Sequence, residues 1–303
     1  MLRKIAKSAA LVVGLVMAGL IAVCAPAVAA QPSLVGGTGA TGDTGWMASL
    51  QYDAPDYGVY GHHTCGGALV FRGWVASAAH CVTDPPSGVA RKTAVNRFVT
   101  DSLDIPTAAK QFYVRVDSKD RTVGGQRVKV VQIVAHPGWK WGQGAPTDEV
   151  DDQSMLKLEH NVDVQPIQLA ARGARPGEKL RLYGWGMDDP SGADPDLPRR
   201  LQQLDVKALS PAKCVDIFIS AKETCVSNPN GTDGPAPGDS GGPAVAFPNG
   251  VPQLEGAASR SASEYPGVTP TVYTSTPDFR TFIYDTARGV PAQGAASPLS
   301  YMS

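Results

Sequence analysis

Ser240 lies in Pro237-Gly238-Asp239-Ser240-Gly241-Gly242-Pro243, a setting in which a hydroxyl could do chemistry. A serine between glycines makes a poor helix and a poor strand but a good tight turn, because glycine accepts backbone angles other residues resist. The glycines leave the hydroxyl uncrowded and let two backbone N–H groups converge on one spot. That suits an acyl-transfer nucleophile with donors for a developing oxyanion. At neutral pH the serine needs a base, and histidine is the usual one.

All five histidines, His62, His63, His80, His136 and His160, precede Ser240. Gly238–Gly242 also fits the G-x-S-x-G elbow of α/β-hydrolases, but that fold puts its histidine after the serine. The order excludes it. His80 is the best base: it ends Trp74-Val75-Ala76-Ser77-Ala78-Ala79-His80-Cys81, an apolar strand beside a cysteine expected to be bridged. A buried carboxylate should orient the imidazole. Of Asp148-Glu149-Val150-Asp151-Asp152, Asp152 directly precedes the apolar run 153–158 and is the acid expected inside, whereas Asp148 and Glu149 read as solvated. His62 and His63 are expected in an exposed loop. There is no H-E-x-x-H, and no metal or other cofactor is expected.

These residues need a scaffold. Short apolar runs recur at 46–52, 67–70, 74–78, 112–116, 126–135, 154–158, 179–184, 201–208, 243–247, 253–257 and 271–274. Many alternate or are β-branched, and Gly, Pro and Asp separate them, which predicts an all-β sandwich or barrel. Helical spacing is confined to 276–288, behind a Thr-Pro start. Segments 53–63, 83–104, 140–151 and 187–199 read as long polar loops. Two halves of similar strand content, split near Pro166, would suit two barrels.

The 27 basic and 28 acidic side chains nearly balance, which argues against a nucleic-acid partner. The N-terminus reads as a secretory signal of about residues 1–30: basic residues, then an apolar run too short to span a membrane, then small residues. Secretion, with no membrane attachment after signal removal, is the expectation. Beyond Cys24, four cysteines remain, Cys65, Cys81, Cys214 and Cys225, and an even count in an exported chain implies disulfides. Of three connectivities, the sequence-local pairs Cys65–Cys81 and Cys214–Cys225 are expected. The tail after Val290 is small and polar, and is expected to be disordered.

In this order the motifs resemble those of secreted trypsin/chymotrypsin-type serine proteases. They are Leu34-Val35-Gly36-Gly37, Ser77-Ala78-Ala79-His80-Cys81, Asp152 before Met155-Leu156-Lys157-Leu158, Gly184-Trp185-Gly186, and Gly238-Asp239-Ser240-Gly241-Gly242-Pro243. The resemblance covers about 34–285. It implies two packed antiparallel six-stranded β-barrels with a C-terminal helix, and an endopeptidase domain over 34–289 followed by a flexible tail. It also implies a His80, Asp152, Ser240 triad, with the N–H groups of Gly238 and Ser240 as oxyanion donors and a protein or peptide as substrate. The start motif implies activation by cleavage after a three-residue propeptide, 31–33, so that the freed amine of Leu34 pairs with Asp239. Ser33 is not a basic cleavage site. A monomer is expected, and the signal and short spacer resemble those of bacterial exported proteases.

Some positions depart from the family. Ala236 stands where many members carry a cysteine, and no partner cysteine remains downstream. The floor of the substrate pocket, an aspartate in trypsin, falls on Gly234, with Asp233 one residue off. The walls fall on Ser259-Arg260-Ser261, where the family usually reads Ser-Trp-Gly, and on Thr271. A neutral floor with hydroxyl-bearing walls predicts preference for a small uncharged residue rather than Arg or Lys; Arg260 would instead favour an acidic one. The alternative function is a family member that no longer cleaves and only binds, through an edge strand such as 259–261.

Overall fold

The computed structural model describes residues 34–85, 103, 105–141, 150–187, 197–263, 265 and 267–290. The expected signal, propeptide and tail lie outside them, as do most of the loops read at 83–104, 140–151 and 187–199.

After a two-residue strand β1 (Thr38–Gly39), six strands close a first antiparallel barrel. They are β2 (Met47–Ala54), β3 (Val59–Phe71), β4 (Trp74–Ser77), β5 (Gln111–Val116), β6 (Gln126–Ala135) and β7 (Ser154–Leu158), in the order β2-β3-β4-β7-β6-β5. The alternation that forms them is plain in β5, where Phe112, Val114 and Val116 are buried and Gln111, Tyr113 and Arg115 face outward. The segment expected as a loop at 53–63 is mostly strand. A 3-10 turn at Pro55–Tyr57, ended by Gly58 at φ 68°, joins β2 to β3, so the long hairpin absorbs it.

The second sheet contains β8 (Gln168–Leu169), β9 (Lys179–Gly184), β10 (Gln202–Leu209), β11 (Glu223–Val226), β12 (Pro243–Ala246), β13 (Gln253–Ser261) and β14 (Thr271–Ser275). The order β10-β11-β14-β13-β12-β9 closes on itself through β9–β10 pairing, which gives a second six-stranded barrel; β1 adds to β10, and β8 runs parallel to β13. Strand β11 was not expected, since four residues including a glutamate carry little periodicity. The expected terminal helix is a 3-10 turn, Thr276–Phe279, followed by α1 (Arg280–Arg288), which ends on Gly289 in the left-handed conformation.

Both disulfides form as the sequence-local pairs, Cys65–Cys81 and Cys214–Cys225. One apolar cluster fills the first barrel and reaches Tyr183, Trp185 and Leu254 of the second half and Phe279, Phe282 and Ile283 of the C-terminal turn and helix. Another fills the second barrel around Leu34, Leu180, Leu182, Leu204, Val206 and Tyr273.

The barrels also meet through backbone. Gly66 N–H of β3 donates to the Ser240 carbonyl at 2.7 Å. A Cβ on Gly241, at φ 70°, would lie 2.2 Å from Ser77 Oγ and 2.7 Å from the Gly66 carbonyl oxygen. Only glycine fits both the angle and the space. Gly241→Ala is therefore expected to cost about 2 kcal/mol or more, a fall of roughly 4–8 °C in Tm for a domain of this size. Gly39→Ala, with nothing within 4 Å of the new carbon, should leave Tm nearly unchanged. Equal melting of the two variants would contradict the packing constraint.

Candidate active site

Strand pairing brings His80 and Asp152 together. β4 and β7 run antiparallel with Ser77 opposite Ser154. Residues just beyond Ser77 and just before Ser154 therefore emerge at the same end. The emerging backbones are tied across: Gln153 Nε2 donates to the Ser77 carbonyl at 3.0 Å, and Ser154 Oγ to the Ala78 carbonyl at 3.0 Å. His80 sits on a 3-10 turn, Ala79–Cys81, anchored by the Cys65–Cys81 disulfide.

The Asp152 side chain is fully buried and makes several hydrogen bonds. Oδ2 meets His80 Nδ1 at 2.7 Å and accepts from Ser259 Oγ at 2.7 Å; Oδ1 accepts from the His80 backbone N–H at 3.0 Å. Thr274 Oγ1 donates to its carbonyl at 3.0 Å. Burial opposes its ionisation, but the charge and hydrogen bonds of His80 and the bond from Ser259 outweigh it, and its pKa lies below the usual carboxylate range. A carboxylate only accepts, so Nδ1 carries a proton, and in the neutral form of the ring Nε2 is the nitrogen with the lone pair.

Asp151 is also buried, at φ 40°. It meets His136 Nδ1 of the first barrel at 3.3 Å and Lys222 Nζ of the second at 3.3 Å. Burial raises its pKa, but these two partners bring it below the usual value. Its pairing with both barrels braces the turn that holds Asp152. His136 itself is packed edge-on against Phe279 and Phe282, at 5.0 and 4.9 Å between ring centroids.

The Ser240 turn is held on both sides. Gly241 N–H donates to the Ala258 carbonyl at 2.8 Å, and Ala258 N–H to the Gly242 carbonyl at 2.9 Å. The carbonyl oxygens of Pro237 and Asp239 accept from Met187 and Gly242 N–H groups, each at 2.8 Å. In a trans peptide the N–H opposes the C=O. Fixing those two oxygens therefore aims the N–H groups of Gly238 and Ser240 away from them, with Gly238 at φ 99°.

The expectation that His62 and His63 lie in an exposed loop is corrected. Both are on β3, and His63 is buried. Burial, helped by the nearby Arg121 charge, lowers its pKa to about 3, so it is neutral. The Gly238 carbonyl, 3.0 Å away, can only accept, so Nε2–H donates to it and Nδ1 accepts from Ser49 Oγ at 2.8 Å. Sequence reasoning missed this support for the turn. No period-two signal marked it, since the β2–β3 register shifts there, pairing Cys65 with Leu50 but His63 with the next residue, Gln51. Trp139 and Trp141 were missed too. Both indoles donate to Thr83 Oγ1, at 3.0 and 2.8 Å, and the Trp141 ring is 6.5 Å from that of His80. Cys65, His80 and Cys81 cluster tightly enough to suggest a metal site, but the two sulfurs are bonded to each other and offer no thiolate.

Around the expected pocket, Gly234 is buried, and its N–H donates to the Val35 carbonyl at 3.0 Å. The Asp233 carboxylate packs against Gly36 and accepts from Asn230 Nδ2 at 2.6 Å, so it faces the N-terminal segment. Ser261 and Thr271 are paired neighbours on β13 and β14, both buried. Arg260 is a correction: its guanidinium does not line a pocket open to substrate. It is fully buried and meets the Glu223 carboxylate through both Nη1 and Nη2, while Nε and Nη2 donate to the carbonyls of Ile217 and Phe218 at 3.1 and 2.8 Å. A buried cation needs such partners, and Glu223 on the unexpected strand β11 provides the charge.

The Asp239 carboxylate accepts from Gly186 N–H at 2.7 Å and Ala236 N–H at 2.9 Å. Among the described residues no cation pairs with it, and burial pushes its pKa up to about 7. Leu34 is fully buried, at φ 57°, in one apolar cluster with Tyr273, whose phenol is itself pushed up by burial and by the Asp239 charge.

Residues 34–283 match the Trypsin family model. The chain is 30% identical to cow Duodenase-1 over 244 residues, 77% of this chain and 82% of that protein. It is 30% identical to rat Serine protease 1, over 75% of this chain and 81% of that protein. In fold it is similar to the solved structure of neuropsin, a serine protease expressed in mouse brain, with a TM-score of 0.62, 24% identity and coverage of 84% of this chain and 99% of that one. These relatives are animal proteins, and the bacterial character expected from the N-terminus finds no support in them.

The Asp239 environment makes a pH prediction. A carboxyl whose folded pKa is raised from 3.8 to about 7 binds its proton more tightly when folded. Its unfavourable contribution grows as pH rises from about 4 to about 7 and is constant above, reaching on the order of 4 kcal/mol. In the uncleaved chain, Asp239→Asn should therefore gain Tm relative to the parent across that window, with a flat difference above it. Parallel Tm–pH curves would contradict this.

Proposed function

Because the chain belongs to the trypsin family of serine proteases, we propose that it is a secreted endopeptidase in which Ser240, His80 and Asp152 act as a triad. The observation that carries this reading is the buried 2.7 Å contact between His80 Nδ1 and Asp152 Oδ2, beside a glycine turn locked against the same segment. Ser240 Oγ attacks the scissile carbonyl carbon while His80 Nε2 takes its proton. Asp152 holds the tautomer and stabilises the imidazolium that forms. The oxyanion is bound by the N–H groups of Gly238 and Ser240. His80 then gives the proton to the leaving amine, and a water it activates hydrolyses the acyl-enzyme.

Residues 1–30 are the signal and 31–33 a short propeptide, with the peptidase domain at 34–289. Cleavage before Leu34 frees an amine that pairs with Asp239, whose buried carboxyl otherwise lacks a cation among the described residues. The domain acts as a monomer on protein or peptide chains. No described helix is long and apolar enough to cross a membrane. Gly234, Ser261 and Thr271 place no charge in the pocket, which suits a small uncharged residue before the scissile bond. Arg260, already paired, takes no part in it.

Protein freed of residues 1–33 should be labelled by a fluorophosphonate, and Ser240→Ala should not. His80→Ala should lower kcat by several orders of magnitude. No labelling of the correctly cleaved parent would sink the reading and favour a binding protein. In a peptide library, cuts should follow small uncharged residues; dominant cleavage after Arg or Lys would overturn the pocket assignment.

A further inference from the structure

The buried ion pair beneath β13 is not consumed by the triad as described, yet it touches it. Arg260 follows Ser259 in the chain, and its Nη1 also lies 3.4 Å from Ser259 Oγ. Ser259 Oγ is in turn 2.7 Å from Asp152 Oδ2, and the same oxygen is 2.7 Å from His80 Nδ1. Ser259, Arg260 and Asp152 are fully buried, and Glu223 nearly so. A guanidinium can only donate. The Ser259 oxygen therefore accepts from Arg260, which turns its own proton toward Asp152. Glu223 and the carbonyls of Ile217 and Phe218 fix the guanidinium plane from the other side. The two main-chain acceptors belong to the loop closed by the Cys214–Cys225 disulfide, so that loop is tied to the same pair.

We infer that Arg260 and Glu223 form a positioning pair for the triad, in which the Arg260 guanidinium orients the Ser259 hydroxyl onto Asp152 and so sets the hydrogen bond Asp152 makes to His80. The pair acts through Ser259 and does not touch substrate. It stands where related proteases usually place an uncharged tryptophan, so the device belongs to this chain's own departure from the family pattern. The inference rests on the triad reading of His80, Asp152 and Ser240.

The test uses the protein freed of residues 1–33 and a short uncharged peptide ester. Arg260→Met/Glu223→Met removes both charges together and leaves neither buried alone. This variant, once shown to melt cooperatively, should lose about tenfold in kcat with KM within about twofold, the size expected for one misdirected hydrogen bond. The low-field proton resonance of the His80–Asp152 hydrogen bond, which needs no turnover, should move or broaden. In a Ser259→Ala background the same double change should cost little further kcat, because its route is already cut. If the paired change does not fold, Arg260→Lys keeps a cation for Glu223 but loses the planar fork. Its kcat should fall about threefold, with the resonance displaced. An unmoved resonance with unchanged kcat would make the pair merely structural and overturn the proposal. So would a rise in KM alone, or full additivity with Ser259→Ala. A parent that hydrolyses nothing would instead overturn the triad reading, and the resonance would still report on the pair.

Discussion

Asp152 carries a carboxylate with no exposure to water, and an ionised group in that position must find its partners inside the protein. It receives them from separate stretches of chain: the ring and backbone of His80 after β4, and Ser259 on β13; its carbonyl is held by Thr274 on β14. No one barrel could supply all of them. The register of β4 with β7 brings the histidine, and the docking of the second barrel brings the hydroxyls. Closing the two sheets is thus the same event as satisfying this charge, and the imidazole tautomer follows from it.

Asp239 is the instructive contrast. It is as buried as Asp152 but is met, among the described residues, by two backbone amides, and its carboxyl is pushed up to about 7 rather than down. The difference is a matter of charge partners: Asp152 has His80, whereas Asp239 among the described residues has none. A buried acid left in this condition is a cost in one chemical state of the protein and a driving force in another. An added cation would be rewarded there, as the proposed Leu34 amine would be. The same turn is meanwhile held by the glycine contact at Gly241 and by neutral His63 on the Gly238 carbonyl.

Much of this was legible in the sequence, for reasons that can be named. Period-two alternation marked most strands, and histidine order excluded the competing hydrolase fold. Local cysteine spacing paired both disulfides, and a following apolar run identified Asp152 as the acid drawn inside. What was missed depended on contacts between distant segments. Strand β11 is four residues long, and its ladder partners on β10 and β14 define it better than its own pattern does. His63 is buried because β3 begins well before its apolar stretch and Gly238 and Trp185 of the second half pack on the imidazole. Arg260 reads as a charge on the pocket wall until Glu223, 37 residues earlier, is placed against it.

A working triad requires that Ser240 Oγ be the nucleophile that takes the acyl group while the His80–Asp152 contact is intact. Mixing the cleaved protein with a small peptidyl ester, quenching in acid and mapping the acyl group by mass spectrometry asks this directly. An acyl group on Ser240 that forms rapidly in the parent and far more slowly in Asp152→Asn is the predicted result. Hydrolysis with no acyl group on Ser240, or acylation equally fast without the Asp152 charge, would contradict it.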